Sequence, residues 1–169
     1  MKNIKALALK QESILTLALV GAAVLAPLVH SQLVTGTIVN AALFAAVMLV
    51  GFRAAASVAV IPSLIALAVG TLPMAMAPMV PFIMASNIML AGIFTLLRKA
   101  NYWVAAISAS LVKFGFLVLS ANIILAAITH GKMAAALASM MGWPQLITAL
   151  LGVTLAYLIL NSKVVGGTR

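Results

Sequence analysis

The segment IMLAGIFTLLRKANYWVAAISASLV (Ile88–Val112) decides how this chain folds. Two apolar runs flank the basic pair Arg98 and Lys99, and the aromatic residues Tyr102 and Trp103 begin the second run. Apolar runs of this kind form membrane-spanning helices, short basic loops stay in the cytoplasm, and Tyr and Trp concentrate at the membrane interface. The segment therefore predicts two antiparallel membrane helices joined by a short cytoplasmic loop.

The composition of the whole 169-residue chain agrees with a membrane location. Hydrophobic residues make up 66% of the chain, charged residues make up 7%, and the mean hydropathy is +1.29. In soluble domains about a quarter of the residues are charged. Because so few charges cannot cover a water-exposed surface, we expect lipid to surround the protein.

Six segments of the chain are apolar enough to cross a bilayer or nearly so. A spanning helix needs about 17–25 mostly apolar residues, and the second and third segments are short by this measure. We predict an all-α, polytopic membrane protein whose residues 1–169 form a single six-helix transmembrane domain. The predicted helices cover residues 13–29, 38–52, 54–69, 80–97, 102–128 and 145–160.

Most basic residues lie before the first segment, after the last one, or in the second and fourth of the five gaps between the segments. The exceptions are Lys132, which lies in the fifth gap, and Lys113, which lies within the fifth helix. Because Lys and Arg in short loops are retained in the cytoplasm, both termini are predicted to be cytoplasmic in a multi-pass protein of the cell (inner or plasma) membrane. Residues 30–40, 70–81 and 130–144 are then external. The basic residues on the cytoplasmic side are Lys2, Lys5, Lys10, Arg53, Arg98, Lys99, Lys163 and Arg169.

The N-terminal segment also fits a secretory signal peptide. Three lysines precede the apolar run Ile14–Ala26, and Ala23–Ala26 offers a small-residue cleavage region. However, Pro27–Val29 extends the apolar run, and no hydrophilic domain follows. These two features favour a retained membrane helix.

The residue types that most enzymes use are scarce in this chain. There is no Cys, and Glu12 is the single acidic residue. Thiolate chemistry, iron–sulfur clusters and paired carboxylates are thereby excluded, and no nucleotide-binding or hydrolase motif is present. The basic residues are dispersed over helix ends, which does not match a nucleic-acid-binding face. We expect no enzymatic activity, no metal and no cofactor.

Polar residues inside the predicted helices are candidates for ligand binding. Lys113 lies about half-way along the fifth helix, where an ammonium that faces lipid costs at least a few kcal/mol. It can meet an anionic group of a substrate or a cluster of carbonyls, contact a neighbouring subunit, or reach toward the cytoplasm. Asn122 falls on nearly the opposite face of the same helix. The predicted substrate-binding residues are Asn40, Asn87, Lys113 and Asn122, with His30 and Gln32 at the rim.

The external segment GTLPMAMAPMVP (Gly70–Pro81) cannot form one continuous helix, because its three prolines lack the backbone N–H. Methionine side chains adapt to irregular surfaces. The segment therefore predicts either a lid over a cavity or a re-entrant or interfacial turn that contacts no ligand. The candidate lid residues are Pro73, Met76, Pro78 and Met79.

Three longer stretches resemble the substrate-binding (S) component of energy-coupling factor (ECF) type ABC transporters. They are VTGTIVNAALFAAVMLVGFRAA (Val34–Ala55), IPSLIALAVGTLPMAMAPMVPFIMASNIML (Ile61–Leu90) and NYWVAAISASLVKFGFLVLS (Asn101–Ser120). The resemblance implies six helices, cytoplasmic termini and an external ligand pocket that loops close, including the loop before the fourth helix. It also implies separate ATPase subunits and a transmembrane coupling subunit. The coupling subunit is expected to dock on the small residues of the first helix, Ala18, Ala22 and Ala26.

These observations predict a component that captures a small nutrient from the external side for ATP-driven uptake. Two alternatives are a non-transporting membrane subunit or scaffold, whose polar residues only hold helices together, and a stand-alone small carrier. A carrier is less favoured because the chain contains neither an inverted repeat nor an intramembrane carboxylate. The identity of the substrate is left open by the sequence, although Lys113 points to an anionic group.

Overall fold

A computed structural model describes residues 2–72, 74–128 and 132–162 of the chain, and these residues form helices joined by short turns. The predicted all-α fold is confirmed for this part of the chain. Two 3₁₀ helices accompany the α-helices: Ala26–Val29 continues the first, and Met74–Met79 precedes the fourth. The α-helices are α1 (Lys2–Leu25), α2 (Gln32–Leu49), α3 (Phe52–Ala68), α4 (Val80–Leu97), α5 (Tyr102–Ile128), α6 (Lys132–Met141) and α7 (Trp143–Asn161).

Most of these helices have the length and composition of membrane spans. In the described part of the chain, five helical stretches are long and apolar enough to cross a bilayer, and α3 is a shorter apolar helix of 17 residues. Large apolar side chains cover the outside of the bundle, and Leu96, for example, is 80% exposed. Such a surface fits lipid rather than water. The chain is therefore a multi-pass membrane protein, and six apolar helices fit the structure. The five spans are Ala6–Val29, Gln32–Leu49, Met76–Leu97, Tyr102–Ala126 and Leu137–Asn161.

The described helices differ from the sequence-based expectation in several places. Helix α1 begins at Lys2 rather than at residue 13, and α2 ends at Leu49 rather than at residue 52. Helix α2 begins at Gln32, six residues before the predicted start, because the Ser31 hydroxyl accepts a hydrogen bond from the backbone N–H of Val34 (3.5 Å) and caps the helix. The segment predicted as the last external loop contains the ten-residue helix α6. Leu137 and Met141, one turn apart on α6, are buried against the rest of the protein. This buried apolar face explains why the segment is helical.

Helix α2 lies at the centre of the bundle and contacts α1, α3, α4 and α7. Every residue from Asn40 to Val47 is buried. Phe44 meets Phe94 of α4 edge-to-face, with ring centroids 4.8 Å apart. By contrast, only 11% of the α1 span is buried, compared with 44% of the α2 span. Helix α1 is thus a peripheral helix that leaves most of its surface facing outward.

Helices α2 and α7 approach each other closely at two glycines. A Cβ on Gly152 would lie 2.6 Å from the Cβ of Asn40 and 2.8 Å from the backbone nitrogen of Ala41. A Cβ on Gly36 would lie 2.8 Å from Cγ2 of Thr148. In lipid, helices associate through such close contacts between small residues. The two glycines therefore bring Asn40 and Thr148 next to each other.

The basic turns lie together at one end of the bundle. Arg53 follows the α2–α3 turn, and Arg98 and Lys99 follow α4. A guanidinium nitrogen of Arg98 lies 3.4 Å from the sulfur of Met48, near the end of α2. The turns that follow α1, α3 and α6 lie at the opposite end, because consecutive spanning helices run antiparallel. One end of the described bundle is thus basic, and the other carries the turns near His30 and the 3₁₀ helix before α4.

The contact between α2 and α7 yields a testable prediction. Gly152→Ala should lower the free energy of unfolding by about 1–3 kcal/mol, because the added methyl collides with the Asn40 side chain and with the backbone of α2. The matched control is Gly21→Ala on α1, where a Cβ has no neighbour within 4 Å. The control should be neutral or stabilising by up to about 1 kcal/mol. Unfolding of the purified protein in detergent, followed by circular dichroism, measures both variants, and equal effects would contradict the packing described.

Candidate ligand-binding site

A cavity of about 410 Å³ opens at the end of the bundle opposite the basic turns. All seven described α-helices contribute to its lining. Its mouth carries His30, Ser31 and Gln32, and its floor carries Asn87 and Lys113. Volumes of 300–1,000 Å³ are typical of sites for small organic ligands. The cavity is therefore large enough to hold a small molecule within the bundle.

Lys113 forms the polar centre of the cavity floor. Its side chain is only 3% exposed, although it lies in the middle of a spanning helix. The ammonium Nζ donates hydrogen bonds to Oδ1 of Asn40 (2.6 Å) and to Oδ1 of Asn87 (2.7 Å). Hydrogen bonds from a charged donor are about twice as strong as those between neutral groups. The three residues thus join α2, α4 and α5 at one point.

A relay of hydrogen bonds holds the Asn40 amide in its orientation. The Nδ2 of Asn40 donates to Oγ1 of Thr148 (3.3 Å), and that hydroxyl donates to the carbonyl of Gln145 (3.1 Å). Because the amide nitrogen is engaged by Thr148, the amide oxygen turns toward Lys113. Helix α7 therefore determines how α2 presents its acceptor to the lysine.

The partners of Lys113 carry no negative charge. Glu12 is the single acidic residue in the sequence; it is exposed on α1 and does not line the cavity. Within the described ranges, no group of three or more His, Asp or Glu residues could hold a metal ion. Amide dipoles compensate a buried cation only in part. The cavity floor is therefore electropositive whenever Lys113 is protonated.

Two glutamines shape the mouth of the cavity. The Nε2 atoms of Gln32 and Gln145 both donate to the carbonyl of Met140, at 2.8 and 3.1 Å. Met140 lies in the last turn of α6, where carbonyls have no partner within the helix. His30 beside them adopts a left-handed conformation (φ 55°), and its backbone N–H donates to the carbonyl of Pro27 (3.0 Å). Through these two hydrogen bonds, the glutamines link α6 to α2 and to α7 at the rim of the cavity.

The rest of the cavity wall is largely apolar. Helix α2 contributes Val39, α3 contributes Pro62, and α4 contributes Ile83. Met76 of the 3₁₀ helix before α4 completes this side of the lining. A polar floor beneath an apolar wall suits a molecule with one polar end and an apolar body.

Five of the six residues predicted to bind substrate line this one cavity: Asn40, Asn87, Lys113, His30 and Gln32. Asn122 does not. It is exposed on the other side of α5, its Nδ2 donates to the carbonyl of Val118 (2.9 Å), and it borders a separate depression of about 160 Å³. The nine residues that separate it from Lys113 amount to two and a half helical turns, which places the two side chains on opposite faces.

The candidate lid residues occupy different positions around the cavity. Met76 lines the cavity, whereas Met79 is fully buried outside the lining and packs in a cluster with Leu117 and Met141. Pro78 is partly buried and also lies outside the lining. Pro73 lies outside the described residues. Of the two methionines, only Met76 is thus positioned to contact a bound molecule.

The three alanines of α1 that were predicted to dock the coupling subunit differ in their exposure. Ala18 and Ala22 are exposed on the outer surface. Ala26 is 3% exposed, and its carbonyl accepts a hydrogen bond from the Thr35 hydroxyl (3.0 Å). Two of the three alanines are therefore accessible to a partner, while the third joins α1 to α2.

Sequence-based reasoning missed the contribution of α7 to the site. Gln145 and Thr148 line the cavity, and Thr148 orients Asn40. The sequence does contain a signal, because these two polar residues are spaced i, i+3 near the start of a largely apolar helix and therefore share one face. Thr35 on α2 was missed as well.

Comparison with known protein families, curated proteins and solved structures gave no match.

The hydrogen bonds of Lys113 yield a second prediction. Asn87→Leu removes one of the two acceptors of a buried ammonium and should lower the free energy of unfolding by about 2 kcal/mol. Asn122→Leu is the matched control on α5, because its amide is exposed and bonds only to its own helix. It should change the free energy of unfolding by less than about 0.5 kcal/mol. Thermal unfolding in detergent measures both variants, and comparable losses would contradict the role assigned to Asn87.

Proposed function

We propose that this protein is the substrate-capturing membrane component of an ATP-driven nutrient uptake system of the ECF type. The observation that carries the proposal is the cavity that descends from the turn near His30 to the buried Lys113. A bundle that only held other subunits together would have no need for a ligand-sized cavity with a charged floor. Among the described residues around this cavity, no group of three or more His, Asp or Glu could hold a metal ion.

The proposed orientation follows from the separation of the cavity mouth from the basic turns. Arg53, Arg98 and Lys99 lie at the end opposite the mouth. If the positive-inside rule holds for these short turns, the basic end faces the cytoplasm and the cavity opens to the exterior of the cell membrane. The N terminus is then cytoplasmic, and so is the end of α7. This orientation is what uptake from outside requires.

The energy for transport would come from partner subunits, since this chain contains no nucleotide-binding motif. We propose that a transmembrane coupling subunit docks on the exposed face of α1 around Ala18 and Ala22. That helix buries only 11% of its span within the bundle, and small residues permit the close approach of another helix. ATPase subunits would bind to the coupling subunit rather than to this chain.

In the proposed cycle, the mouth of the cavity closes over the bound molecule. A molecule bound on the floor would contact the flexible thioether of Met76, which can repack over it. A ligand shifts a conformational equilibrium only by as much as it prefers one state. Because the closed state makes more contacts with the ligand, the ligand would prefer that state. The closed bundle would then reorient against the coupling subunit and release the ligand into the cytoplasm.

Accessibility labelling tests the orientation. The chain has no Cys, so single-cysteine variants need no background mutations. Thr71→Cys lies at the cavity end and Ala100→Cys lies at the basic end, and both positions are exposed. In intact cells a membrane-impermeant maleimide should label Thr71→Cys, whereas Ala100→Cys should react only after permeabilisation. The reverse pattern would point the cavity toward the cytoplasm and contradict an uptake role.

Co-purification tests the proposed partners. Gentle extraction of the tagged protein from its native membrane should recover a membrane subunit together with an ATPase, both identified by mass spectrometry. Ala22→Leu, which adds bulk to the outward face of α1, should reduce this recovery by at least fivefold. The control Thr154→Leu places the same bulk on an exposed position of α7 and should have no effect. Recovery of a different enzyme complex without an ATPase would favour the scaffold alternative instead.

A further inference from the structure

We infer that the cavity takes a small organic anion, in which a carboxylate or a comparable acidic group pairs with Lys113 and an apolar body fills the upper part. This inference rests on the proposed function, since it names the class of molecule that the capture site accepts. It is carried by the charge balance of the floor and by the donors that face the cavity.

On the cavity floor, no described residue supplies a negative charge to balance the ammonium of Lys113. Lys113 is buried, and its two partners, Asn40 and Asn87, are neutral amides. The sole carboxylate side chain, that of Glu12, is exposed on α1 and lies outside the cavity lining. A buried cation is stabilised far better by an anion than by amide dipoles alone. The described residues therefore supply no negative charge to the floor, and an anionic ligand that enters the cavity can provide it.

Two donors on the floor remain available to such a ligand. An ammonium has three N–H donors, and two of those of Lys113 are used by the asparagine oxygens. Among the described residues the third has no acceptor. The Nδ2 of Asn87 likewise donates to no described acceptor, and both residues line the cavity. Because Oδ1 of Asn87 lies 2.7 Å from Nζ, these two donors are neighbours. The two oxygens of one carboxylate can accept from both.

The same features disfavour other ligand classes. A cationic ligand would be repelled by Lys113, and a metal ion would find no carboxylate or His cluster in the described ranges. A neutral ligand would cover the floor and remove water without supplying the missing charge, which makes the buried ammonium less stable. The apolar wall formed by Val39, Pro62 and Ile83 excludes small inorganic anions as the preferred cargo, because they would leave this surface unfilled.

Matched acids and amides test the charge class directly. The probes are benzoate and benzamide, nicotinate and nicotinamide, indole-3-acetate and indole-3-acetamide, and octanoate and octanamide. Each is titrated against the purified full-length protein in a neutral detergent at pH 7, with thermal unfolding and isothermal calorimetry as readouts. We expect at least one acid to raise the unfolding temperature and to bind at least tenfold more tightly than its amide. If no acid is preferred over its amide, the inference is overturned.

A charge-compensating variant tests the position of the anion. Asn87→Asp places a carboxylate where the amide oxygen now accepts from Lys113, so the chain supplies its own counter-charge. It should raise the unfolding temperature of the ligand-free protein and weaken binding of the preferred acid at least tenfold. Lys113→Gln retains an amide donor without the charge and should abolish the preference for the acid. Asn122→Leu, outside the cavity, should retain it.

The outcomes separate this inference from the proposed function. Equal binding of acid and amide, or unchanged acid binding in Asn87→Asp, overturns the anion assignment even if an ATPase co-purifies with the protein. Acid-selective binding that depends on Lys113, in a protein that recovers no ATPase from native membrane, supports the anion assignment and contradicts the transport role. The acid–amide comparison on the unmodified protein needs no variant, so a variant that fails to fold does not weaken the test.

Discussion

The buried ammonium of Lys113 is the constraint on which the rest of the site depends. A lysine at this depth in a membrane helix is costly unless it has strong hydrogen-bond acceptors. The structure provides two, from Asn40 on α2 and Asn87 on α4, at 2.6 and 2.7 Å. These bonds hold three helices in register at one point. They also place the ammonium beneath a cavity with described partners that carry no negative charge, which is the feature on which the proposed binding site rests.

The close packing of α2 against α7 is what makes this arrangement possible. Gly36 and Gly152 let the two backbones approach until Thr148 reaches the Asn40 amide. Without that contact, the amide could rotate and present its nitrogen to Lys113, where two donors would face each other. Small residues at a helix contact therefore have a chemical consequence in this protein. They determine which atom of Asn40 faces the cavity floor.

The sequence was sufficient for the helices and for most of the cavity floor, because both depend on local properties. Apolar runs mark the spans, and a lysine or asparagine within a span is conspicuous. Helix α6 was missed, since Leu137 and Met141 acquire their roles only through tertiary contacts, whereas the early start of α2 follows from the local Ser31 cap, which was overlooked. Thr148 was overlooked although it shares a helix face with Gln145, because its contact with Asn40 appears only in the folded bundle. Polarity alone could not separate Asn122 from the residues that line the cavity, although its helical phase relative to Lys113 did.

Helix α1 connects the cavity with the outer surface of the bundle. Ala23 lines the cavity, whereas its neighbour Ala22 is exposed on the outside. Further along, Pro27 also lines the cavity, and the carbonyl of Ala26 accepts from Thr35 of α2. A ligand that filled the cavity would therefore contact the same helix on which we propose that the coupling subunit docks. In the proposed mechanism, a ligand-dependent displacement of α1 would link occupancy of the cavity to the reorientation of the bundle.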